Sequence, residues 1–391
     1  MSRKLDKDGK VDSRLPLTII TGFLGSGKTT LVKNILDNTV GMKVLVIENE
    51  IGAEGIDHEL LMQHTAKEEI ILMNNGCVCC TVRKDLLTTF HRMFSHEAFA
   101  QLDWVVIETT GMADPAPLIQ SLYMDPACAA RLRLDSVLTV VDCKHLPTHL
   151  RTLPTTSSSN TVLQISFADV VLMNKTDLIS ENELTSLIQS VQSINPSAKL
   201  LACQHSNVPI ENLLNIRAFD PLHNPALLNT NNNTDSVNSN DTSPMLIQVD
   251  ANGKILQKSS TAGMKIRSKH TVNTVSLVVE EALDLDLFNA WITQLLQKHG
   301  AEIYRMKGIL CMAGYEEQFV AHGVHMIFDG QRGRRWDETA VTATATTDTS
   351  SGSNSSVATV RRYSRLVFIG LGMDKEALQE GLFACRAQST S

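Results

Sequence analysis

Along the first half of the chain, short runs of consecutive apolar residues alternate with stretches whose apolar positions recur every three or four residues. The runs Leu17–Ile20, Lys43–Ile47, Glu69–Met73, Trp104–Ile107, Ser136–Val141, Asp169–Met173 and Lys199–Ala202 read as strands buried on both faces. Between them, Leu86, Leu87, Phe90, Met93 and Phe94 mark one helical stripe, and Leu184, Leu187, Ile188 and Val191 another. Strands and helices in alternation predict an α/β unit, a mostly parallel sheet with helices on both faces.

The second half has another rhythm. Val275, Leu277 and Val279 alternate as on a half-buried strand. A helix over about Asp284–His299 buries Leu287, Phe288, Trp291, Leu295 and Leu296 and stops at Gly300. Strand-like runs follow at Tyr304–Met312, Phe319–Phe328 and Arg365–Gly370, with a last helix over Asp374–Ala384. This predicts a smaller α+β domain with an antiparallel sheet. Residues 228–243, LNTNNNTDSVNSNDTS, hold too little apolar surface to order themselves. The expected organisation is an arm over 1–15, an α/β domain over 16–225, a low-complexity linker over 226–268 and an α+β domain over 269–388. The tracts Thr155–Thr161 and Thr339–Thr359 read as surface insertions, the second of them disordered.

The strongest chemical signal is Gly22-Phe-Leu-Gly25-Ser26-Gly27-Lys28-Thr29, followed by Thr30. It fits G-x-x-x-x-G-K-[ST] and lies between a strand and a helix, the setting of a P-loop. Glycines let backbone N–H groups curl around phosphate oxygens, Lys28 reaches the β- and γ-phosphates, and the Thr29 hydroxyl ligates Mg²⁺. Asn174-Lys175-Thr-Asp177 directly follows a strand. A carboxylate there accepts the paired N–H donors of guanine, which adenine lacks, so GTP is expected over ATP. Asn174 would hold the loop or the base edge, and the Lys175 stem would cover the ring. Glu108 ends the strand Trp104–Ile107, where it can orient Mg²⁺ through water, and the Gly111 N–H can sense the γ-phosphate.

Charge and cysteine usage narrow the class. The 391 residues carry a net charge of −7, which argues against a general nucleic-acid or membrane-surface binder. No apolar run reaches membrane-spanning length, and Met1–Arg14 has no apolar signal-peptide core, so a cytoplasmic protein is expected. Of eight cysteines, Cys77, Cys79 and Cys80 share one short loop after Asn74-Asn-Gly76. Three thiolates suit Zn²⁺ or Cu⁺, and an incomplete shell suits transfer or sensing better than structure. A redox pair and inert buried thiols are the alternatives. His322 and His325, three apart, would face opposite ways on a strand and read as structural. His145 follows the strand that ends at Val141-Asp142 and can approach the nucleotide face, whereas His91 and His96 read as the polar face of a helix.

GFLGSGKTT, ENEIGAEGID, NGCVCC, ETTGMADP and NKTD, in that order, resemble the CobW-type GTPases, relatives of the UreG and HypB maturation GTPases. YRMKGIL (Tyr304–Leu310), HGVHMIF (His322–Phe328) and RLVFIGLGMDKEAL (Arg365–Leu378) are similar to that family's C-terminal domain. The resemblance implies GTP hydrolysis coupled to binding of a divalent metal, most often zinc, and its delivery to metal-dependent client proteins. It carries over to Lys28, Thr29, Glu108, Asn174, Asp177 and the three cysteines. The family's first switch resembles Asn49-Glu50-Ile-Gly52-Ala-Glu54-Gly-Ile-Asp57, whose acids, Glu50 among them, would meet the metal or the attacking water; ordinary helix-start carboxylates are the alternative. Two departures stand out. The linker is rich in Asn, Ser and Thr rather than His, which argues against bulk metal storage, and Met1–Pro16 lacks the cysteine of a client-recruiting motif found in some relatives. A regulatory GTPase with a structural zinc and a cobalt-linked cofactor-assembly factor are the competing readings, and a homodimer is among the assemblies considered.

Overall fold

The computed structural model describes residues 13–39, 41–50, 62–65, 68–74, 81–151, 160–218, 245–249, 255–260, 272–336 and 362–387. The chain divides into two compact units, 1–219 with 234–266, and 220–233 with 267–391. The first is built on β1 (Leu15–Thr21), β2 (Val44–Glu50), β3 (Met62–Thr65), β4 (Glu68–Asn74), β5 (Trp104–Glu108), β6 (Leu132–Asp142), β7 (Val170–Asn174), β8 (Lys199–Ala202), β9 (Met245–Val249) and β10 (Ile255–Ser260). They lie in the order β10-β9-β8-β7-β6-β1-β5-β2-β4-β3. Every pairing is parallel except those of the two outermost strands, β10 with β9 and β3 with β4.

Helices α1 (Lys28–Asn38), α2 (Thr81–Phe94), α3 (Ala116–Met124), α4 (Pro126–Arg131), α5 (Leu146–Arg151), α6 (Asn160–Phe167) and α7 (Glu181–Ile194) connect these strands. Strand side chains alternate between the faces, so neighbours in sequence belong to different cores. Val140, Leu172 and Leu201 pack with Leu31, Val32 and Ile35 of α1. Val141, Val171, Met173 and Leu200 pack with Leu184, Leu187, Ile188 and Val191 of α7. Burial on both faces makes strands such as β1, β5, β7 and β8 unbroken apolar runs, and all seven expected strands are present. A capping box starts α7, Ser180 with Glu183.

The second unit holds β11 (Val272–Val279), β12 (Ile303–Cys311), β13 (Glu317–Val324), β14 (Ile327–Arg335) and β15 (Ser364–Leu371), in the antiparallel order β11-β15-β12-β13-β14. Helices α8 (Leu285–His299) and α9 (Lys375–Ala384) bury Phe288, Ile292, Leu378 and Leu382 against it. Asp284 and Asp374 cap them, each accepting two backbone N–H bonds.

Four expectations need correction. Leu287, expected to be buried on α8, is exposed, because the packed face of that helix runs through Phe288, Ile292 and Leu296. The span 226–268 is not wholly linker, because β9 and β10 fall within it and β9 extends the sheet from β8. The apolar Met245, Leu246, Ile247 and Val249 supply that strand just after the Asn/Ser/Thr tract. Phe319–Phe328 is not one strand but the hairpin β13–β14, turned at His325 with φ 55°. Thr161 is no surface insertion, since it is buried in α6. The N-terminal arm to residue 12, Thr155–Ser159, the linker tract 226–244 and the insertion 339–359 lie outside the described residues.

One buried amide fixes the approach to β7. Asn195 Nδ2 donates to the carbonyls of Ile165 (2.8 Å), Ser166 (3.3 Å) and Ala168 (2.9 Å), which end α6 and lead into the strand. Asn195→Ala strips these fully buried carbonyls of their shared donor and should cost about 2–3 kcal/mol. Urea unfolding of the full chain should show a lowered midpoint at an unchanged slope, and an unchanged midpoint would refute the role.

Candidate nucleotide and metal site

The candidate residues gather at the C-terminal ends of the parallel strands, where an open α/β sheet presents its loops. Between β1 and α1 the loop turns through left-handed backbone at Gly22 (φ 140°) and Gly27 (φ 112°). A Cβ on Gly22 would run into the Val140 carbonyl, and one on Gly27 into the Asn174 amide. Only glycine allows this path. The loop is held largely by its carbonyls. Phe23 O accepts from Lys28 Nζ (3.2 Å), Ser26 O from Asn174 Nδ2 (2.8 Å), and Gly27 O from Ser206 Oγ (2.9 Å). The Ser26 hydroxyl is buried without a hydrogen-bond partner among the described residues, as suits a cradle for an acceptor-rich group such as phosphate. Lys28 is buried, which lowers its pKa, while the charge of Glu108 opposes that shift.

Thr29 and Glu108 meet across the two neighbouring strands β1 and β5. The Thr29 hydroxyl donates to Glu108 Oε1 at 2.9 Å. With its proton directed at the carboxylate, the hydroxyl keeps its lone pairs open to a hard cation such as Mg²⁺, with Glu108 behind it. Thr30 is exposed on α1 beyond this contact. Gly111 lies so close to the loop that a Cβ there would come within 2.5 Å of Leu24 N. Backbone contact between these two segments leaves no room for a side chain.

Asn174 ends β7, and it holds the loops rather than a base edge. Besides Ser26 O, its amide bonds Ser206 Oγ (2.9 Å), and its Oδ1 accepts from Ser206 N (2.8 Å). Lys175 follows in left-handed conformation (φ 62°), its Nζ 2.6 Å from Asp142 Oδ2. Asp177 stands exposed on the following 3-10 turn, Thr176–Leu178. His145 is drawn to Asp142 as well, at 2.9 Å, so it braces the Lys175 loop. His322 is buried on β13, and His325 is in the turn after it.

Ser206, Asp142 and Gln164 escaped the sequence reading. Ser206 and His205 take successive left-handed conformations (φ 52° and 51°) beyond β8. Asp142 ends β6, and Gln164 on α6 donates to the carbonyls of Gly111 (3.3 Å) and Ala113 (3.1 Å). The available signal was positional: Asp142 and Ser206 follow strands that flank β7. Cys77, Cys79, Cys80 and Ile51–Asp57 lie outside the described residues, as does the Glu50 side chain. Backbone register pairs Glu50 with Asn74, so the Cys loop leaves β4 beside the end of β2. The remaining cysteines, Cys128, Cys143, Cys203, Cys311 and Cys385, are buried free thiols, and burial pushes Cys128 and Cys143 up to about 12. Among the described residues no helix is long and apolar enough to cross a membrane.

Comparison with known proteins places both units of the chain. The CobW/HypB/UreG nucleotide-binding domain matches residues 16–202, and the cobalamin synthesis protein CobW C-terminal domain matches 272–386. Zinc-regulated GTPase metalloprotein activator 1 of Schizosaccharomyces pombe is 36% identical over 220 residues, 55% of this chain and 52% of that protein. The chain thus spans about half the length of that relative. The zinc chaperone YjiA of Escherichia coli is 26% identical over 374 residues, 95% of this chain and 99% of YjiA. The crystal structure of Zn(II)-bound YjiA GTPase from E. coli shares the fold, with a TM-score of 0.65 at 22% identity, covering 96% of this chain and 99% of that one.

The Ser206 contacts make a prediction. Ser206→Ala removes the hydroxyl that bonds both Gly27 O and Asn174, and should weaken nucleoside triphosphate binding by about 1–2 kcal/mol, roughly 5–30-fold. Titration with a fluorescent nucleotide measures this, and wild-type affinity in the variant would show that the tie is dispensable.

Proposed function

The chain belongs to the CobW/HypB/UreG family, with both the nucleotide-binding and the C-terminal domain, and from that membership we propose that it is a GTPase that carries zinc on the Cys77, Cys79 and Cys80 loop and delivers it to metal-dependent client proteins. The observation that carries the GTPase reading is the Thr29–Glu108 contact at the mouth of the Gly22–Gly27 loop. It orients a cation-ligating hydroxyl, backed by a carboxylate, beside the glycine-rich loop backbone.

In this reading the chain acts chiefly by positioning and electrostatics. Backbone amides of Gly25–Thr29 cradle the β-phosphate. Lys28 spans the β- and γ-phosphates, and its contact with Phe23 O keeps the ammonium over the loop. Thr29 would hold Mg²⁺ directly and Glu108 through water; when bound, the ion neutralises charge developing on the phosphates. Gly111 N–H faces the γ-phosphate, and Gln164 steadies that segment by its carbonyls. Asp177 selects guanine. Zinc is cargo rather than a resident cofactor, and the three-thiolate loop follows β4 while the first switch follows its neighbour β2. This adjacency supports coupling between cargo and nucleotide state. The zinc-linked names of the relatives support zinc as the metal.

Two measurements test the reading. Asp177→Asn removes the acceptor pair for guanine and should raise the KM for GTP at least tenfold while leaving that for ATP unchanged; equal changes for both would reject the base-reading role. Zinc affinity should differ by about 5–150-fold between the GDP state and a non-hydrolysable GTP analogue state, and by linkage zinc should shift nucleotide affinity by the same factor. Equal zinc affinities in the two states would leave a structural metal and no carrier.

A further inference from the structure

Away from the nucleotide-side residues, α2 and α4 bring three donor atoms of different chemistry together. His91 lies in the last turn of α2, Asp125 ends α3 and caps α4, and Cys128 lies in the first turn of α4. His91 Nε2 is 3.0 Å from both Asp125 Oδ1 and Oδ2. The Cys128 Sγ lies beside them, and the three donor atoms all lie within 4.8 Å of one another. We propose that His91, Asp125 and Cys128 form a second metal site, which takes one Zn²⁺.

The donor set argues for zinc. One imidazole, one carboxylate and one thiolate suit a borderline-soft cation, whereas Mg²⁺ and Ca²⁺ take oxygen alone. Around a tetrahedral zinc with bonds of 2.0–2.3 Å, ligand atoms stand roughly 3.3–3.7 Å apart. The imidazole and carboxylate are already near that spacing, and rotation of His91, whose side chain is 50% exposed, closes the rest. Asp125 is mostly covered and Cys128 fully buried, so the cluster has a dry floor and a wet side. The fourth position faces water. On binding, the Cys128 thiol gives its proton to solvent and the sulfur bonds the metal as thiolate.

A helix cap accounts for the bond from Cys128 N–H to Asp125 Oδ1 (2.9 Å), and a surface ion pair accounts for His91. Neither calls for a buried thiol within 4.8 Å of both groups. The placement adds a consequence. α2 begins at Thr81, directly after Cys80, and His91 is about 15 Å along it. α3 begins at Ala116, shortly after Gly111, and runs to Asp125. Zinc at this cluster would therefore clamp together the two helices that leave the Cys loop and the Gly111 segment, fixing their spacing.

The test uses the full chain with Cys77, Cys79 and Cys80 all replaced by Ser, so that the outcome does not depend on the proposed carrier loop. Co²⁺ is the probe. The expected result is one bound equivalent with a thiolate-to-cobalt charge-transfer band in the near ultraviolet, bleached by added Zn²⁺. Cys128→Ser on this background should abolish the band, and His91→Ala should weaken Co²⁺ at least tenfold. Asp125→Asn keeps a good helix cap while removing the charged ligand, and should weaken Co²⁺ by a similar factor at an unchanged melting temperature. No charge-transfer band in the triple variant, a band that survives Cys128→Ser, or unchanged affinity in Asp125→Asn would each overturn the site.

Discussion

The Asn174 side chain is the tie on which the site's geometry depends. It bonds Ser26 O and both the hydroxyl and the backbone N–H of Ser206, and the Ser206 hydroxyl in turn bonds Gly27 O. A phosphate-binding loop has to present amide N–H groups to an anion, so the loop cannot be stabilised by spending all of those donors internally. Holding it by its carbonyls resolves the conflict. The bonds to Asn174 run between residues that are buried, where each missing partner would cost far more than at the surface. The same side chain ends the strand that leads to Asp177, so the proposed phosphate and base contacts share one anchor.

A second set of contacts brings the segment after β5 under the same control. Glu108 meets Thr29, Gly111 lies against the Leu24 backbone, and Gln164 holds the Gly111 and Ala113 carbonyls. Glycine at 111 is a steric demand rather than a matter of flexibility, because any Cβ would strike the P-loop backbone. A shift of the Gly111 segment therefore has to break either the Gln164 bonds or the Thr29–Glu108 pair. Discrete contacts of this kind, made or broken as a unit, are what a switch between two arrangements would be built on.

Much of this was legible in the sequence, for reasons that can be stated. Strands inside a parallel sheet read as unbroken apolar runs, so β1, β2 and β4–β8 announce themselves in the sequence, and the P-loop glycines signal a backbone path no other residue can follow. Edge strands lack that signature: β3 covers only one side of β4, and β9–β10 follow a tract whose composition masks them. The β13–β14 hairpin turns at His325 in a left-handed conformation, with no Asn-Gly or Asp-Gly pair to announce it, and the apolar pattern runs on through Ile327 and Phe328. Ser206, Asp142 and Gln164 stayed hidden because their partners are set by strand order, which neighbouring residues do not encode. His91 and Asp125 are 34 positions apart on different helices, so only packing reveals them as neighbours.

Asp142 shows how electrostatics completes what the Asn174 tie begins. Burial raises its pKa, but hydrogen bonds from Lys175 and His145 outweigh that and the net shift is downward. A carboxylate with a depressed folded-state pKa contributes stability above its ordinary value near 3.8, and that contribution is lost as pH falls through the lowered one. At neutral pH the charge is therefore fully engaged. Lys175 needs such a partner, since a left-handed conformation at a residue with a Cβ costs roughly 1–2 kcal/mol. The 2.6 Å pair with Asp142 offsets that cost and fixes the turn on which Asp177 stands. The Asp177 carboxylate is thus exposed on a loop braced from both sides, by an amide at Asn174 and by an ion pair at Lys175, and a rigid acceptor pair of this kind is what the proposed choice of guanine, with its paired N–H donors, over adenine requires.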